Sequence, residues 1–367
     1  TTTGLKDKNK PGVYVLDLKT NEKKLVFESH KKTKYFKLKL SDSGKSLGFI
    51  VDSDSTKVQR RPYELYSWNF KDNMAKLLIN EQNSPKGFKV SSNGSITFSK
   101  DDSRLYFGLA TPQIIQDTLL LDEEIVNVEV WTYDEPRLYT VQEKQVKNDK
   151  NKSFQAVYHL KENKLIQIES EEFPNSVLSD EGNGNYVLIS NRKPYQLSSQ
   201  WTGQFSANDL AVLNIENGYS KMAIKGLPSL ARFSPKGIYA YGYNEIDTTW
   251  YTYNVKTENY TELTKGKQFY NELNDTPNYP RSYGLAGWTK NDKRILIYDR
   301  YDVWEFEPEN ITYKKLTNGR DSKTRYRIIN LDSEKKFIDT NQKILMSTYN
   351  EISKNSGYYE YNYRKKS

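Results

Sequence analysis

One short polar signature recurs along most of this chain and constrains its fold more than any other feature. Each copy begins with an apolar residue, continues through Ser, Thr or Asp into a polar turn, and leads into a strand. The six copies are LSDSGKSLGFI from Leu40, FSKDDSRLYFGLA from Phe98, LSDEGNGNYVLIS from Leu178, FSPKGIYAYGY from Phe233, WTKNDKRILIYD from Trp288 and LDSEKKFIDT from Leu331. Self-similarity with a period of about 40–60 residues is typical of repeat architectures. Because each repeat is built of strands, the pattern predicts an all-β fold of the β-propeller class.

Hairpins of alternating aromatic and polar residues accompany these signatures. The regular ones are VYVLDLKTNEKKLVF from Val13, YELYSWNFKDNMAKLLI from Tyr63, LAVLNIENGYSKMAI from Leu210, WYTYNVKTENYTELT from Trp250 and VWEFEPENITYKKLT from Val303. Alternation with period two around polar turns predicts strands with one buried face. Two hairpins are irregular: VEVWTYDE from Val128 is separated from AVYHLKENKLIQIE by a charged insertion at 142–152, and the last hairpin runs only from Tyr358 to Arg364. No segment is predicted to form a helix of ordinary length.

The number of hairpins sets the expected number of blades. Seven hairpins with six signatures predict seven blades, with eight as the alternative. The first hairpin has no signature before it and the last hairpin is short, so we expect the first and last blades to be incomplete. We therefore predict that residues 1–367 form a single β-propeller domain that is a fragment of a larger chain.

Composition argues against several classes of function. The chain has no Cys and only two His, which makes thiolate chemistry and a transition-metal site unfavourable, and we predict no metal and no cofactor. His159 lies within a predicted strand, where a structural role is expected, and His30 is expected to be exposed. Although the net charge is +8, the basic runs are short and scattered, so we predict neither nucleic-acid binding nor a membrane-spanning segment. We predict no catalytic residue, because a G-x-S-x-G elbow is absent from the sequence.

Two segments concentrate charged and aromatic residues: YDRYDVW at 298–304 and WTYDEPRL at 131–138. Alternating Asp and Arg on a strand can face a central channel or a neighbouring domain. The candidate residues for a substrate channel or an interdomain contact are Asp134, Arg137, Asp299, Arg300 and Asp302. The alternative is a structural ion pair within one sheet, in which Asp299 or Asp302 binds Arg300 across a turn.

Several segments resemble the propeller of bacterial prolyl oligopeptidase family serine peptidases. They are YELYSWN at 63–69, SITFSKDDSRLYFGLA at 95–110, DTLLLDEEIVNVEVWTYDEPRLYTVQEKQ at 117–145, YGLAGWTKNDKRILIYDRYDVWEFEP at 283–308 and STYNEISKNSGYY at 347–359. In that family a propeller of seven or eight blades caps an α/β-hydrolase domain that carries the Ser, Asp and His triad. No position of this chain matches the triad motifs, so the resemblance implies the role of the cap alone.

The resemblance thus implies a non-catalytic propeller that filters peptide substrates for a hydrolase domain of the same polypeptide, outside this chain. It also implies a periplasmic or secreted location. Two further hypotheses stay open from the sequence. One is a stand-alone propeller that serves as a protein-binding platform. The other is a propeller glycosidase that works with two carboxylates.

Overall fold

Antiparallel strands account for most of the regular structure, as the alternating hairpin patterns predict. The computed structural model describes residues 10–56, 58–115, 117, 119–125, 128, 132–202, 207–332 and 334–365. The chain divides into two units: the first contains residues 1–174, 181–183 and 215–218, and the second contains residues 175–180, 184–214 and 219–367.

The described part of the first unit holds three antiparallel sheets in which strands adjacent in sequence pair with each other. The first is the hairpin of β1 (Gly12–Leu16) and β2 (Lys23–Glu28). The second is a four-stranded meander of β3 (Lys34–Leu40), β4 (Ser46–Asp52), β5 (Glu64–Asn69) and β6 (Lys76–Ile79). In the third, β7 (Lys89–Val90) and β8 (Thr97–Phe98) both pair with β9 (Arg104–Ala110). The other side of β9 pairs with β10 (Phe154–His159), and β10 pairs with β11 (Lys164–Gln167).

The described part of the second unit holds four such sheets. The first consists of β12 (Asn175–Leu178), β13 (Tyr186–Asn191), β14 (Asn208–Asn214) and β15 (Ser220–Leu227), and the second of β16 (Arg232–Phe233), β17 (Tyr239–Asn244), β18 (Thr249–Asn254) and β19 (Tyr260–Glu262). The third consists of β20 (Leu285–Trp288), β21 (Ile295–Tyr298), β22 (Val303–Phe306) and β23 (Tyr313–Lys315). The fourth consists of β24 (Thr324–Ile328), β25 (Lys343–Asn350) and β26 (Ser356–Asn362). These meanders confirm the predicted β-propeller class at the level of its blades. Among the described residues the first and last sheets have two and three strands, fewer than the other sheets. The number of blades stays a prediction.

The signature turns share one backbone conformation. Their fifth residue has a positive φ in five copies: +73° at Gly44, +59° at Asp102, +85° at Gly182, +70° at Gly237 and +54° at Asp292. In four of these copies the N–H of the fifth residue donates a hydrogen bond to the carbonyl of the second residue. A tight turn that ends in a left-handed residue favours Gly, Asn and Asp. This preference explains the Gly or Asp that recurs at the fifth position.

Consecutive signature turns also pack on each other. In the first unit, Oγ of Ser41 donates a 3.0 Å hydrogen bond to Oδ2 of Asp102, the fifth residue of the next signature. In the second unit, Gly237 packs on Ser179 so tightly that an added Cβ would lie 2.6 Å from the Ser179 Cβ. The repeated Ser and the repeated Gly or Asp therefore face each other from one sheet to the next within a unit.

Aromatic side chains fill much of the space between neighbouring sheets. Trp288 of β20 is 2% exposed, and its ring stacks on Tyr239 and meets Tyr241 edge-on, with centroid distances of 5.6 Å and 5.3 Å. Burying an aromatic side chain contributes about 1.5–3 kcal/mol, and such ring pairs add to this. Tyr239 and Tyr241 thus serve the packing of one sheet on the next.

The insertion between β9 and β10 corrects two expectations. It contains α1 (Tyr139–Lys150), where no helix was predicted, and a shorter helix, α2 (Gln196–Thr202), follows β13. Val128 and residues 132–135 are not in a strand, although VEVWTYDE was expected to form one; residues 129–131 lie outside the described residues. No residue of α1 is buried, so its sequence lacks the apolar stripe by which helices are recognised. Neither of these two helices is long and apolar enough to span a membrane.

Candidate functional site

The segment YDRYDVW forms a tight corner between β21 and β22. Oδ1 of Asp299 accepts the N–H of Tyr301 at 2.8 Å and the N–H of Asp302 at 2.5 Å. A carboxylate that accepts backbone N–H groups two and three residues ahead fixes the turn without help from the sheet. Asp299 therefore shapes the corner rather than pointing into open space.

Asp302 anchors this corner to the connection after β23. Its side chain is fully buried, and Oδ1 accepts the Thr317 hydroxyl at 2.7 Å and the Gly319 N–H at 2.5 Å. Oδ2 accepts the backbone N–H of Arg320 at 3.3 Å. A buried carboxylate needs such donors, because leaving it without them would cost several kcal/mol. Asp302 is thus a structural anchor within the cluster.

Arg320 joins the corner to a third segment, the connection between β19 and β20. Its guanidinium donates to both carboxylate oxygens of Glu272, at 2.7 Å and 3.2 Å, and to Oδ2 of Asp299 at 3.3 Å. The hydrogen bonds to Glu272 and the nearby carboxylate of Asp299 raise the pKa of Arg320 above its usual value. This two-point contact is the geometry in which Arg binds a carboxylate most strongly.

Arg300 pairs with Glu351 of the turn between β25 and β26, not with Asp299 or Asp302. Its guanidinium donates to Oε2 of Glu351 at 2.8 Å, and the Tyr301 hydroxyl donates to the same oxygen at 2.9 Å. Burial acts to raise the pKa of the Glu351 carboxyl, but the hydrogen bonds from Arg300 and Tyr301 outweigh it and hold that pKa below its usual value. The predicted ion pair across the turn is therefore replaced by a contact between two sheets of the second unit.

Two further arginines, Arg325 and Arg327 on β24, complete an arginine cluster that consists of Arg300, Arg320, Arg325 and Arg327. The Arg327 guanidinium lies over the Tyr298 ring, 4.5 Å from its centroid, and donates to the carbonyls of Asp299 and Arg300 at 3.2 Å and 3.1 Å. Burial lowers the pKa of Arg327. Sequence analysis missed this pair, although the alternation of arginines in TRYRI at 324–328 places both on one face of a strand.

Arg325 and Arg327 border an open groove of about 460 Å³ on the last sheet. Its wall includes Ser347 and Tyr349 of β25 and Tyr358 of β26. The groove therefore combines two guanidinium groups with hydroxyl groups and aromatic rings. Such a lining can bind an anion and can pack against a small planar or extended ligand.

The two candidates from the first unit are placed in the insertion. Arg137 donates to the carboxylate of Asp149 at 2.8 Å and 3.2 Å and to Gln145 at 2.6 Å, so it is held against α1. Asp134 lies in an exposed turn. A role for these two residues, or for Asp299, Arg300 and Asp302, in a substrate channel or an interdomain contact stays a prediction.

The two histidines are both held by backbone carbonyls. Nε2 of the buried His159 lies 2.7 Å from the Ile215 carbonyl, and Nε2 of His30 lies 2.8 Å from the Ser53 carbonyl. These contacts support the structural role predicted for His159. Among the described residues, no group of three or more His, Asp or Glu side chains is arranged to hold a metal ion.

Comparison with known proteins gives similarities of fold. No protein-family model and no curated protein sequence matches the chain. Solved structures similar to it include one of a pair of prolyl endopeptidases, with 9% identity and a TM-score of 0.34 over 97% of this chain and 47% of that one. Dipeptidyl peptidase 4 of Porphyromonas gingivalis has 10% identity and a TM-score of 0.42 over 90% of this chain and 45% of that one.

The β-propeller domain of the trilobed protease of Pyrococcus furiosus is also similar, with 11% identity and a TM-score of 0.34 over 95% of this chain and 83% of that domain. The chain spans about half the length of the prolyl endopeptidase and the dipeptidyl peptidase.

Proposed function

We propose that this chain is the propeller domain of a prolyl oligopeptidase-like serine peptidase and that it filters peptide substrates for an α/β-hydrolase domain of the same polypeptide. In this proposal the chain supplies no catalytic group, and the hydrolase domain lies outside residues 1–367. We also propose a periplasmic or secreted location, which follows from the sequence resemblance alone.

The observation that carries the proposal is the structure of residues 298–304, one of the two segments whose resemblance is more specific than that of the signature turns. Its two carboxylates are occupied by backbone and hydroxyl donors, and its arginine is paired with Glu351. These residues build a corner at the end of a sheet that hydrogen bonds and an ion pair hold in place. A filter needs strand ends that are held in place, because fixed strand ends can exclude a folded protein while admitting an extended peptide.

The filter can be tested on the natural gene product that contains this chain. We expect its sequence to contain G-x-S-x-G followed by Asp and His, and we expect a fluorophosphonate probe to label that Ser. The product should cleave a short Pro-containing chromogenic peptide, and should not cleave the same peptide when it is embedded in a folded protein.

The matched control is the variant in which the predicted nucleophile is replaced by Ala, which should lose both labelling and cleavage. A gene product without a hydrolase motif would contradict the proposal, and so would equal cleavage of the free and the embedded peptide. If the gene product has no hydrolase motif, stable capture of a partner that is not a hydrolase would favour the binding-platform hypothesis instead.

A further inference from the structure

The last sheet presents a polar face whose composition its own packing does not require. Residues directly opposite each other across its strands are Arg325, Tyr349 and Ser356 in one row, and Arg327, Ser347 and Tyr358 in the next. Side chains of opposed residues point to the same side of a sheet. These six residues therefore share one face, and all of them line the groove of about 460 Å³.

The other face of this sheet is the one that stabilises the second unit. It places Met346, Ile344 and Tyr361 in a buried apolar cluster together with Leu296 and Tyr298. The apolar face provides most of this packing, and from the polar face Arg327 adds its contact with the Tyr298 ring. This packing does not explain the Arg, Ser and Tyr residues at the other five positions of the polar face. Their arrangement needs another reason.

The charges beside the groove do not balance. Glu351 is the carboxylate nearest to Arg325, with 3.8 Å between Oε1 and Nε, and it already binds Arg300 at 2.8 Å. For Arg327, none of the carboxylates in the described part of the chain lies within 4 Å; the hydrogen bonds given above lead only to backbone carbonyls. Arg300 and Arg325 thus share the carboxylate of Glu351, and Arg327 has no carboxylate partner within 4 Å among the described residues, so the groove carries an excess of positive charge.

We propose that this groove binds the carboxylate of a short peptide through Arg325 and Arg327. The planar fork of Arg matches a carboxylate, and Arg327 is held in place by carbonyls and by the Tyr298 ring, so little order would be lost on binding. The rings of Tyr349 and Tyr358 and the hydroxyl groups of Ser347 and Ser356 can contact the rest of the peptide. The volume lies within the range of small-ligand sites, about 300–1,000 Å³. The inference does not depend on the peptidase role, because it concerns binding by this chain alone.

The test is isothermal titration calorimetry of residues 1–367 with three peptide probes at low ionic strength. The probes are N-acetyl-Ala-Ala with a free carboxylate, the same peptide as its amide, and N-acetyl-Glu-Ala amide. We expect the acid to bind at least about tenfold more tightly than its amide, and we expect added salt to weaken that difference. Binding of the acid alone would identify a C-terminal carboxylate as the ligand. Comparable binding of the Glu-containing amide would show that an acidic side chain serves as well.

Variants separate a built site from general attraction to a basic protein. Arg325→Gln should weaken binding of the acid at least about fivefold, and Arg327→Lys should do so too, since Lys keeps the charge but loses the fork. Arg294→Gln makes the same charge change just before β21, beside a different sheet, and should alter the affinity less than about twofold. Equal binding of acid and amide, or equal effects of the Arg325 and Arg294 substitutions, would overturn the proposal. If Arg327→Lys does not fold, Arg325→Gln and Arg325→Lys decide the question.

Discussion

The hydroxyl of Ser234 donates a 2.6 Å hydrogen bond to Oδ2 of Asp292, and the two residues belong to consecutive signature turns. The same carboxylate accepts the backbone N–H of Lys236 at 3.0 Å and 3.2 Å, so it also closes the turn that contains Ser234. Asp292 is 1% exposed. The Asp292 side chain thus links the signature turn of one sheet to the signature turn of the next. Both residues stand at repeated positions of the signature, so the repeat in the sequence reflects this contact.

Removal of the Ser234 hydroxyl should destabilise the chain. Ser234→Ala leaves the buried carboxylate of Asp292 with one donor fewer and takes an acceptor from the Tyr239 N–H, which lies 3.0 Å from Oγ. A buried polar group left without its partner costs about 1–3 kcal/mol, so we expect a loss of that size in the free energy of unfolding measured with urea. Ser353→Ala, at an exposed position, is the control. Equal losses in the two variants would contradict the role given to this contact.

The stability of the chain should depend on pH through Asp292. Burial raises the pKa of this carboxyl above 3.8, and the hydrogen bonds from Ser234 and from the backbone of Lys236 only partly oppose it. Between the unfolded and the folded pKa, the folded chain binds more protons than the unfolded chain, so this group's contribution to stability falls as pH rises through that window. Asp292→Asn should flatten this part of the profile of unfolding free energy against pH above about 4. Asp321→Asn, at an exposed position, should leave the slope as it is, and an unchanged slope in Asp292→Asn would refute the assignment.

Two glycines at the same signature position should respond differently to Ala. Gly44 and Gly237 have φ values of +73° and +70°, but an added Cβ meets nothing within 4 Å at Gly44 and lies 2.6 Å from the Ser179 Cβ at Gly237. Both variants bear the left-handed backbone cost, roughly 1–2 kcal/mol. Only Gly237→Ala adds a clash between neighbouring sheets, so its melting temperature should fall further than that of Gly44→Ala. Equal shifts would show that the turns do not pack as described.

The sequence predicts those parts of the fold that depend on local backbone preferences. The signature turns were recognisable because a left-handed fifth residue favours Gly, Asn and Asp, and Gly or Asp stands at that position in five copies, as at Gly237 and Asp292. Strand alternation was recognisable because successive side chains point to opposite faces of a sheet and one face is buried. The helix α1 was missed because none of its residues is buried, which removes the periodic apolar signal.

The candidate site was predictable only in part. Its corner lies within one short segment, so Asp299 and Asp302 stood out as charged residues among aromatic ones. The partner of Arg300 is Glu351, which is 51 residues away and lies in another sheet. Such a pairing follows from how sheets pack, and neither spacing nor composition determines it. The alternation of Arg325 and Arg327 places them on one face of β24, but the residues that lie opposite them, Tyr349 and Ser347, follow only from the register of β24 against β25.

The contact between Arg320 and Glu272 should contribute measurably to stability. It joins the segment after β23 to the segment between β19 and β20. Both side chains are partly buried, at 34% and 18% exposure, and the contact is bidentate. A double-mutant cycle with Arg320→Gln and Glu272→Gln should give a coupling energy of about 0.5–3 kcal/mol. The control pair, Lys265 and Glu262, is more exposed, at 73% and 30%, and should give about 0.5 kcal/mol or less. Hydrogen exchange should also rise in residues 270–283 of Arg320→Gln, because the side chain that holds this connection to the corner is lost. A coupling no larger than that of the control pair would mean that Asp302, by its bonds to Thr317 and Gly319, fixes the corner without Arg320.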